Sequence, residues 1–151
     1  MSVKYVVGDI VALAETGKYD AVIHGCNCFN TMGSGVAKAL RDKWPQVYAV
    51  DNETTKGDIR KLGGFTVASA GCTLVVNAYT QYSYNPRVHP FEYSALSAFF
   101  TNFTKYYDDT AQGKLLMPKI GAGLGGGDWN VIEQILINTG LDITVCVLEE
   151  E

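Results

Sequence analysis

The run "KLLMPKIGAGLGGGDWNVIEQIL", Lys114 to Leu136, changes its pattern twice. "KLLM" reads as a strand of about four residues, closed by Pro118. Glycine then fills five of the seven positions from 121 to 127, namely 121, 123, 125, 126 and 127. Asp128 follows, and "WNVIEQIL" carries apolar residues at helical spacing. That predicts a helix over about 129–138, ending near Gly140.

The same alternation continues in both directions. "KYVVGDI" predicts a short strand ending at Gly8-Asp9, and "YDAVIHGCN" a second that turns polar at His24. "GSGVAKALRDKW" places Val36, Ala37, Leu40 and Trp44 on one helical face, and Pro45 ends it. "QVYAVDNETT" has room for a further helical turn or two. "GGFTVASA" and "CTLVVNAYT" are strands joined tightly at Ala70-Gly71, the second apolar on both faces as in a buried central strand. "QYSYNPRVHP" is a loop opening onto a helix over 90–107, with Pro90 in its first turn and a stripe of Leu96, Phe99, Phe100, Phe103 and Tyr107. "DITVCVL" is the last strand and "EEE" a solvated tail. Strands alternating with helices predict an α/β layered domain with helices on both faces of a sheet. Ligands of such sheets sit beyond the carboxyl ends of strands. Four segments fall there: Gly8-Asp9, His24 to Gly35, Gln81 to Asn85, and Gly121 to Asp128.

Composition narrows the class. The 151 residues suit one domain spanning 1–151. A net charge of -4 argues against a dedicated nucleic-acid surface, which needs clustered Lys and Arg. "MSVKYVVGDIVALAE" lacks the apolar core of a signal peptide, and no apolar run is long enough to span a membrane. The expectation is a soluble cytoplasmic protein. Cys72 and Cys146 read as small buried hydrophobes. Cys26 and Cys28 alternate with His24 in "HGCNC", but the spacing fits no zinc pattern, so no metal is expected.

Two glycine-rich loops precede helices, "NTMGSGVA" with Gly33 and Gly35, and the Gly121 loop. Free N–H groups and the positive dipole end of a helix, with glycines allowing close approach, make a phosphate cradle. Two such loops suggest a ligand with two phosphates; the alternative is that the glycines only permit sharp turns. Asp9 could accept hydrogen bonds from a base or ribose, or cap a local turn. His24 could serve as general acid or base, or be a structural residue at a strand end. Asn27 could orient a ribose or a water, or stabilise its loop. Asp128 stands where an N-cap is expected, and could also hold an attacking water. Tyr79, Tyr82 and Tyr84 could stack on a base or pack at a strand end.

Three motifs, "GDI" (8–10), "HGCNCFNTMGSGVAKAL" (24–40) and "PKIGAGLGGGDW" (118–129), resemble those of the macrodomains, in the same order along nearly the whole chain. The branch holding ADP-ribose-1''-phosphate phosphatases and terminal ADP-ribose glycohydrolases is the most similar, through the His-x-Cys-Asn-Cys start of loop one and the Met-Pro-x-Ile-Gly lead-in. The resemblance implies a three-layer α/β/α fold around a mixed, mostly parallel six-stranded sheet, with an ADP-ribose cleft. It implies that Asp9 binds the adenine amino group with Ile10 beside it. Gly33, Ser34, Gly35 and Val36 bind the diphosphate and the near side of the distal ribose, which Asn27 faces. Ile120, Gly121, Ala122, Gly123, Leu124 and Gly125 close over the diphosphate. His24 and Asp128 lie near the hydrolysed end.

The chain departs from the glycohydrolases of that branch. They attack with a lysine just after the central strand, where this chain has "TQYSYN", and they use an acid in the second loop where this chain has Gly125. Water-mediated attack fits these residues better. The leading expectation is hydrolysis of ADP-ribose-1''-phosphate to ADP-ribose and phosphate. His24 would move a proton, Asn27 would position the ribose and Asp128 would orient water. Alternatives are hydrolysis of ADP-ribosyl esters, including O-acetyl-ADP-ribose, and non-catalytic reading of ADP-ribose. Expected partners are ADP-ribose or a derivative, and an ADP-ribosylated protein.

Overall fold

Six strands form one sheet in the order β1-β6-β5-β2-β4-β3. They are β1 (Val3–Val7), β2 (Ala21–Asn27), β3 (Phe65–Ala70), β4 (Thr73–Gln81), β5 (Lys114–Pro118) and β6 (Asp142–Val147). The computed structural model describes residues 3–85, 87–122 and 125–148. Gly123, Leu124 and the acidic tail at 149–151, all read above, lie outside the described residues. Every neighbouring pair is parallel except the β3–β4 hairpin. The sheet is therefore mixed and mostly parallel.

Helices cover both faces. On one side lie α1 (Ile10–Glu15), α2 (Gly35–Lys43) and α3 (Pro45–Asp51), packing Ile10, Ala14, Leu40 and Val47 onto Val22, Val75 and Leu116. On the other lie α4 (Tyr93–Tyr106), the short α5 (Asp108–Ala111) and α6 (Trp129–Asn138). There Leu96, Phe99, Phe103, Ile132 and Leu136 meet Ile23, Val76, Leu115 and Val145. The stripe read on α4 is the cause: Phe99 stacks on Phe103 at 5.4 Å and meets the edge of Phe65 at 5.7 Å. Burying a side chain of this size contributes about 1.5–3 kcal/mol. The apolar character of β4 on both faces follows from the two helical layers: Val76 and Ala78 belong to one core and Val75 and Tyr79 to the other.

Three details differ from the sequence reading, and the burial of Tyr79 decides between its two alternatives. The helix expected from Pro90 begins at Tyr93, because the Phe91 N–H donates to Gly125 O and the Glu92 N–H to Thr80 O, holding that segment extended against the sheet. Cys72 is exposed in the hairpin turn beside Gly71 (φ +66°), outside the strand, whereas Cys26, Cys28 and Cys146 are buried. Tyr79 is buried, and its hydroxyl donates to Asp51 Oδ1 at 2.6 Å. The six-residue helix α1 had no legible period and was not anticipated. No helix among the described residues is long and apolar enough to cross a membrane.

Candidate functional site

A cleft of about 440 Å³ opens at the carboxyl ends of β2, β4 and β5. Its walls come from the β2–α2 loop, the segment after β4 and the loop after β5. Of the residues singled out in sequence, His24, Asn27, Gly33, Ser34, Gly35, Val36, Ile120, Gly121 and Gly125 line it. Asp9, Ile10, Ala122 and Asp128 do not.

The first loop is fixed by side chains. Asn27 ends β2 just past a register shift. Its Nδ2 donates to Thr31 Oγ1 at 2.7 Å, and its Oδ1 accepts the Phe29 N–H at 2.8 Å. Asn30 stands in the left-handed region (φ +57°), and its Oδ1 accepts from Lys61 Nζ at 2.7 Å. Helix α2 then opens at Ser34, whose side chain makes no capping hydrogen bond, followed by Gly35 at φ +59°. The orphan N–H groups at a helix start therefore lie at the cleft without a side-chain acceptor.

Packing accounts for three glycines of the second loop, Gly121, Gly125 and Gly127. Gly121 has φ +75°, and a Cβ there would run into the Phe91 ring. Added Cβ atoms at Gly125 and Gly127 would come within 2.9 and 2.8 Å of Gly121 O, and the Gly127 N–H donates to that same carbonyl at 2.7 Å. Lys119 and Phe91 also line the cleft. The Lys119 ammonium lies 5.6 Å from the Trp129 ring centroid.

His24 is 1% exposed. Alternation along β2 puts it on the face of Val22 and Cys26, under α2 and α3. Asn77, its partner in register on β4, uses its amide hydrogens on Val47 O and Thr66 Oγ1, both at 3.0 Å. The Asn77 carbonyl oxygen is thereby turned to His24 Nε2 at 2.5 Å, so Nε2 carries the imidazole hydrogen. Burial lowers the imidazole to about 4, against a smaller opposing effect of Asn77. At neutral pH it holds no second proton to donate, unlike the part expected of it. Burial likewise pushes the neighbouring Cys26 thiol well up, and it stays protonated. Asp51, in the same interior, has its carboxyl raised chiefly by burial, and its Oδ2 has no partner.

Asp9 and Asp128 are helix caps. Asp9 Oδ2 accepts the Ala12 N–H at 3.0 Å at the start of α1, and Asp128 Oδ1 accepts the Asn130 N–H at 2.9 Å at the start of α6. Asp9 stands at the end of β1, two strands from β5, so roughly 10 Å from the β5 edge of the cleft at the usual strand spacing. Asp128 donates its own N–H to Tyr93 Oη at 2.9 Å. Tyr84, 75% exposed, lines the cleft, whereas the Tyr82 hydroxyl donates to Gly57 O. Sequence reading missed Thr31, Thr80, Phe91 and Lys119 as lining residues. It marked Gln81–Asn85 by position and Tyr82 and Tyr84 as aromatics able to stack, and Gln81, Ser83 and Tyr84 from that segment line the cleft. Among the described residues, no group of three or more His, Cys, Asp or Glu could hold a metal ion.

Comparison with known proteins agrees with this architecture. An uncharacterized 17.5 kDa protein of Enterobacteria phage T4 is 39% identical, covering all of this chain and 98% of that one. A protein of Lodderomyces elongisporus named ADP-ribose 1''-phosphate phosphatase is 26% identical, over 99% of this chain and 100% of its own. The structure of Thermosipho africanus DarTG in complex with ADP-ribose superposes with a TM-score of 0.72 at 18% identity, covering all of this chain and 43% of that one. The Macro domain family model matches residues 23–136, three quarters of the chain. A six-stranded mixed sheet between two helical layers, with its cleft at the strand ends, is the frame those residues build, and the chain belongs to the Macro domain family.

Proposed function

We propose that residues 1–151 act as a single macrodomain that binds ADP-ribose and hydrolyses ADP-ribose-1''-phosphate to ADP-ribose and phosphate in the cytoplasm. The observation that carries this reading is the start of α2. Among the described residues it is the one helix start that lines the cleft, and Ser34 leaves it without a side-chain cap. An anion there would meet free N–H groups and the positive end of the helix dipole. The diphosphate would lie across Gly33–Val36, with Ile120–Gly125 closing over it. The distal ribose would lie at Asn27, and the adenine would extend toward Asp9 and the edge of Ile10. The phosphatase name of the Lodderomyces relative, at 26% identity over the full chain, supports the reaction class. Positioning and electrostatic stabilisation would supply most of the acceleration, as is general for phosphoryl transfer. In this reading His24 is a core residue that supports the loop, and Asp128 orients water only if its second oxygen turns toward the cleft.

One observation favours a second reading. Neither residue first expected to move protons is well placed: His24 is neutral in the core, and Asp128 caps α6 outside the cleft lining. A non-catalytic reader of ADP-ribosylated protein would need neither. Calorimetry with ADP-ribose, and side-by-side turnover of ADP-ribose-1''-phosphate and an ADP-ribosylated glutamate peptide, separate the cases. Release of inorganic phosphate supports the phosphatase. Release of ADP-ribose from the peptide alone replaces it with an ester hydrolase. Binding without turnover of either leaves a reader, and absence of binding removes the ADP-ribose reading.

A further inference from the structure

The chain has two histidines, and the one outside the core is placed against the cleft. His89 lies in the segment between β4 and α4, with Nδ1 2.7 Å from Ser83 Oγ. Ser83, only 8% exposed, lines the main cleft and also an adjoining pocket of about 200 Å³ that holds His89. The serine is therefore the shared wall, and the imidazole reaches the cleft through it. Register places this wall beside Asn27: Asn27 pairs with Gln81, and the Cys28 N–H donates to Tyr82 O at 2.9 Å.

The hydrogen bonds around the pair leave the serine proton two directions. The Asn85 N–H donates to Ser83 Oγ at 3.2 Å, so the hydroxyl already accepts from the backbone. Facing a neutral imidazole, Ser83 donates its proton to Nδ1. Facing an imidazolium, it accepts from Nδ1 and can turn its own proton into the cleft. The ring is held in place: its centroid is 4.8 Å from that of Tyr82, edge to face, Gln81 Nε2 donates to His89 O at 2.9 Å, and the His89 N–H donates to Asn85 O at 2.8 Å. Imidazole is the side chain suited to moving protons near neutral pH.

We propose that Ser83 and His89 are the proton relay of this cleft, with Ser83 the catalytic hydroxyl and His89 acting through it on the leaving oxygen of a 1''-phosphate ester. The proposal rests on the phosphatase reading above. A water oxygen bonds to phosphorus as the phosphorus–oxygen bond to the ribose breaks. The electron pair of that bond goes to the 1''-oxygen, which takes the Ser83 proton while the Nδ1 proton of the imidazolium moves to Ser83 Oγ. The proton lost by the attacking water returns to the imidazole. One water is consumed, and a ribose hydroxyl and inorganic phosphate are formed.

The test compares Ser83→Ala, Ser83→Thr and His89→Gln with the wild-type chain on ADP-ribose-1''-phosphate. General acid catalysis is commonly worth 10²–10⁴-fold, so kcat should fall about a hundredfold in Ser83→Ala and His89→Gln. The Kd for ADP-ribose should change by less than about threefold. Ser83→Thr keeps the hydroxyl and should recover most of the rate, and His89→Gln should lose the alkaline limb of the kcat–pH profile. A Ser83→Ala enzyme that keeps kcat within about threefold of wild type overturns the relay. A second readout is independent of turnover: the His89 ring protons are titrated by NMR with and without saturating ADP-ribose-1''-phosphate. A midpoint that moves on binding supports the placement, and one that does not move overturns it. A wild-type chain that moves the midpoint and turns nothing over removes the phosphatase reading while keeping the pair beside the ligand. A chain that does not bind the compound removes both.

Discussion

His24 makes the stability of this domain depend on pH in a way that can be calculated. In the unfolded chain its imidazole takes a proton near 6.5, and in the folded chain burial delays that to about 4. Between these values the unfolded state binds more protons, so stability falls as pH drops. The contribution is fully present above about pH 6.5 and fully lost below about pH 4. At about 1.4 kcal/mol per pH unit it amounts to roughly 3 kcal/mol in all, and to about 2 kcal/mol by pH 5. The neighbours do not cancel it. Cys26 stays protonated throughout because burial pushes its thiol well up. Asp51, raised by burial, runs the opposite way in both wild type and variant, and so drops out of their difference to first order. Urea unfolding of wild type and His24→Gln at pH 7.5, 6 and 5 measures the effect. The variant should be less stable at pH 7.5, having lost the fit to Asn77. Its deficit should shrink by about 2 kcal/mol by pH 5, a midpoint change well within reach of the method. A deficit that stays constant within about 0.5 kcal/mol over that range would refute the claim that His24 is buried and neutral.

Three other outcomes follow from the contacts. Phe99→Ala should cost about 3–5 kcal/mol, because Phe99 is fully buried among Phe65, Phe100 and Phe103; a loss under about 1.5 kcal/mol in urea unfolding would contradict the packing. Asp9→Asn should keep the α1 cap and hold stability within a few tenths of a kcal/mol, whereas Asp9→Ala should lose about 1 kcal/mol. If the adenine assignment holds, calorimetry should show weaker ADP-ribose binding for both variants. Ser34→Asp should move two measurements in opposite directions: thermal stability up by about 0.5–1 kcal/mol from a better cap, and ADP-ribose affinity down because a carboxylate occupies the anion's place. Tighter binding in that variant would exclude the start of α2 as the diphosphate site.

The features that were legible in the sequence are those written in local pattern. The helix over Trp129–Asn138 and its cap at Asp128 need only the 3.6-residue period and the chemistry of an N-terminus. The burial of β4 on both faces shows in its mostly apolar run, broken by Asn77, although β4 lies next to the edge strand β3. What was misread depends on contacts far along the chain. The start of α4 is displaced from Pro90 to Tyr93 by hydrogen bonds to Gly125 and Thr80, which no local rule supplies. The depth of His24 follows from Asn77, 53 residues away and itself spent on Val47 and Thr66. Ser83 and His89 are six residues apart in an irregular segment, where no period brings one residue over another.

The placement of caps locates the anion better than the glycines do. Four described helices begin at the carboxyl edge of the sheet: α1 after β1, α2 after β2, α4 after β4 and α6 after β5. Each should present a positive dipole end of roughly half a charge. The start of α4, behind the carboxylate-bearing Glu92, does not line the cleft. Two of the others are already answered from within the chain, by Asp9 and Asp128, whose carboxylates take the first N–H groups and set a negative charge in front of the helix. A diphosphate approaching either would meet repulsion and occupied donors. Helix α2 is answered by nothing comparable: Ser34 makes no side-chain cap, and Gly35 at φ +59° brings the backbone round to face the cleft. Leaving a helix uncapped costs about 1 kcal/mol, which selection tolerates where a ligand recovers it. Gly121, Gly125 and Gly127 after β5, by contrast, are explained by the Phe91 ring and the Gly121 carbonyl before any ligand is invoked. In a chain of net charge -4, attraction for an anionic ligand cannot come from the protein as a whole, so it has to be local. The start of α2, with Lys119 also lining the cleft, is where the local field has the right sign.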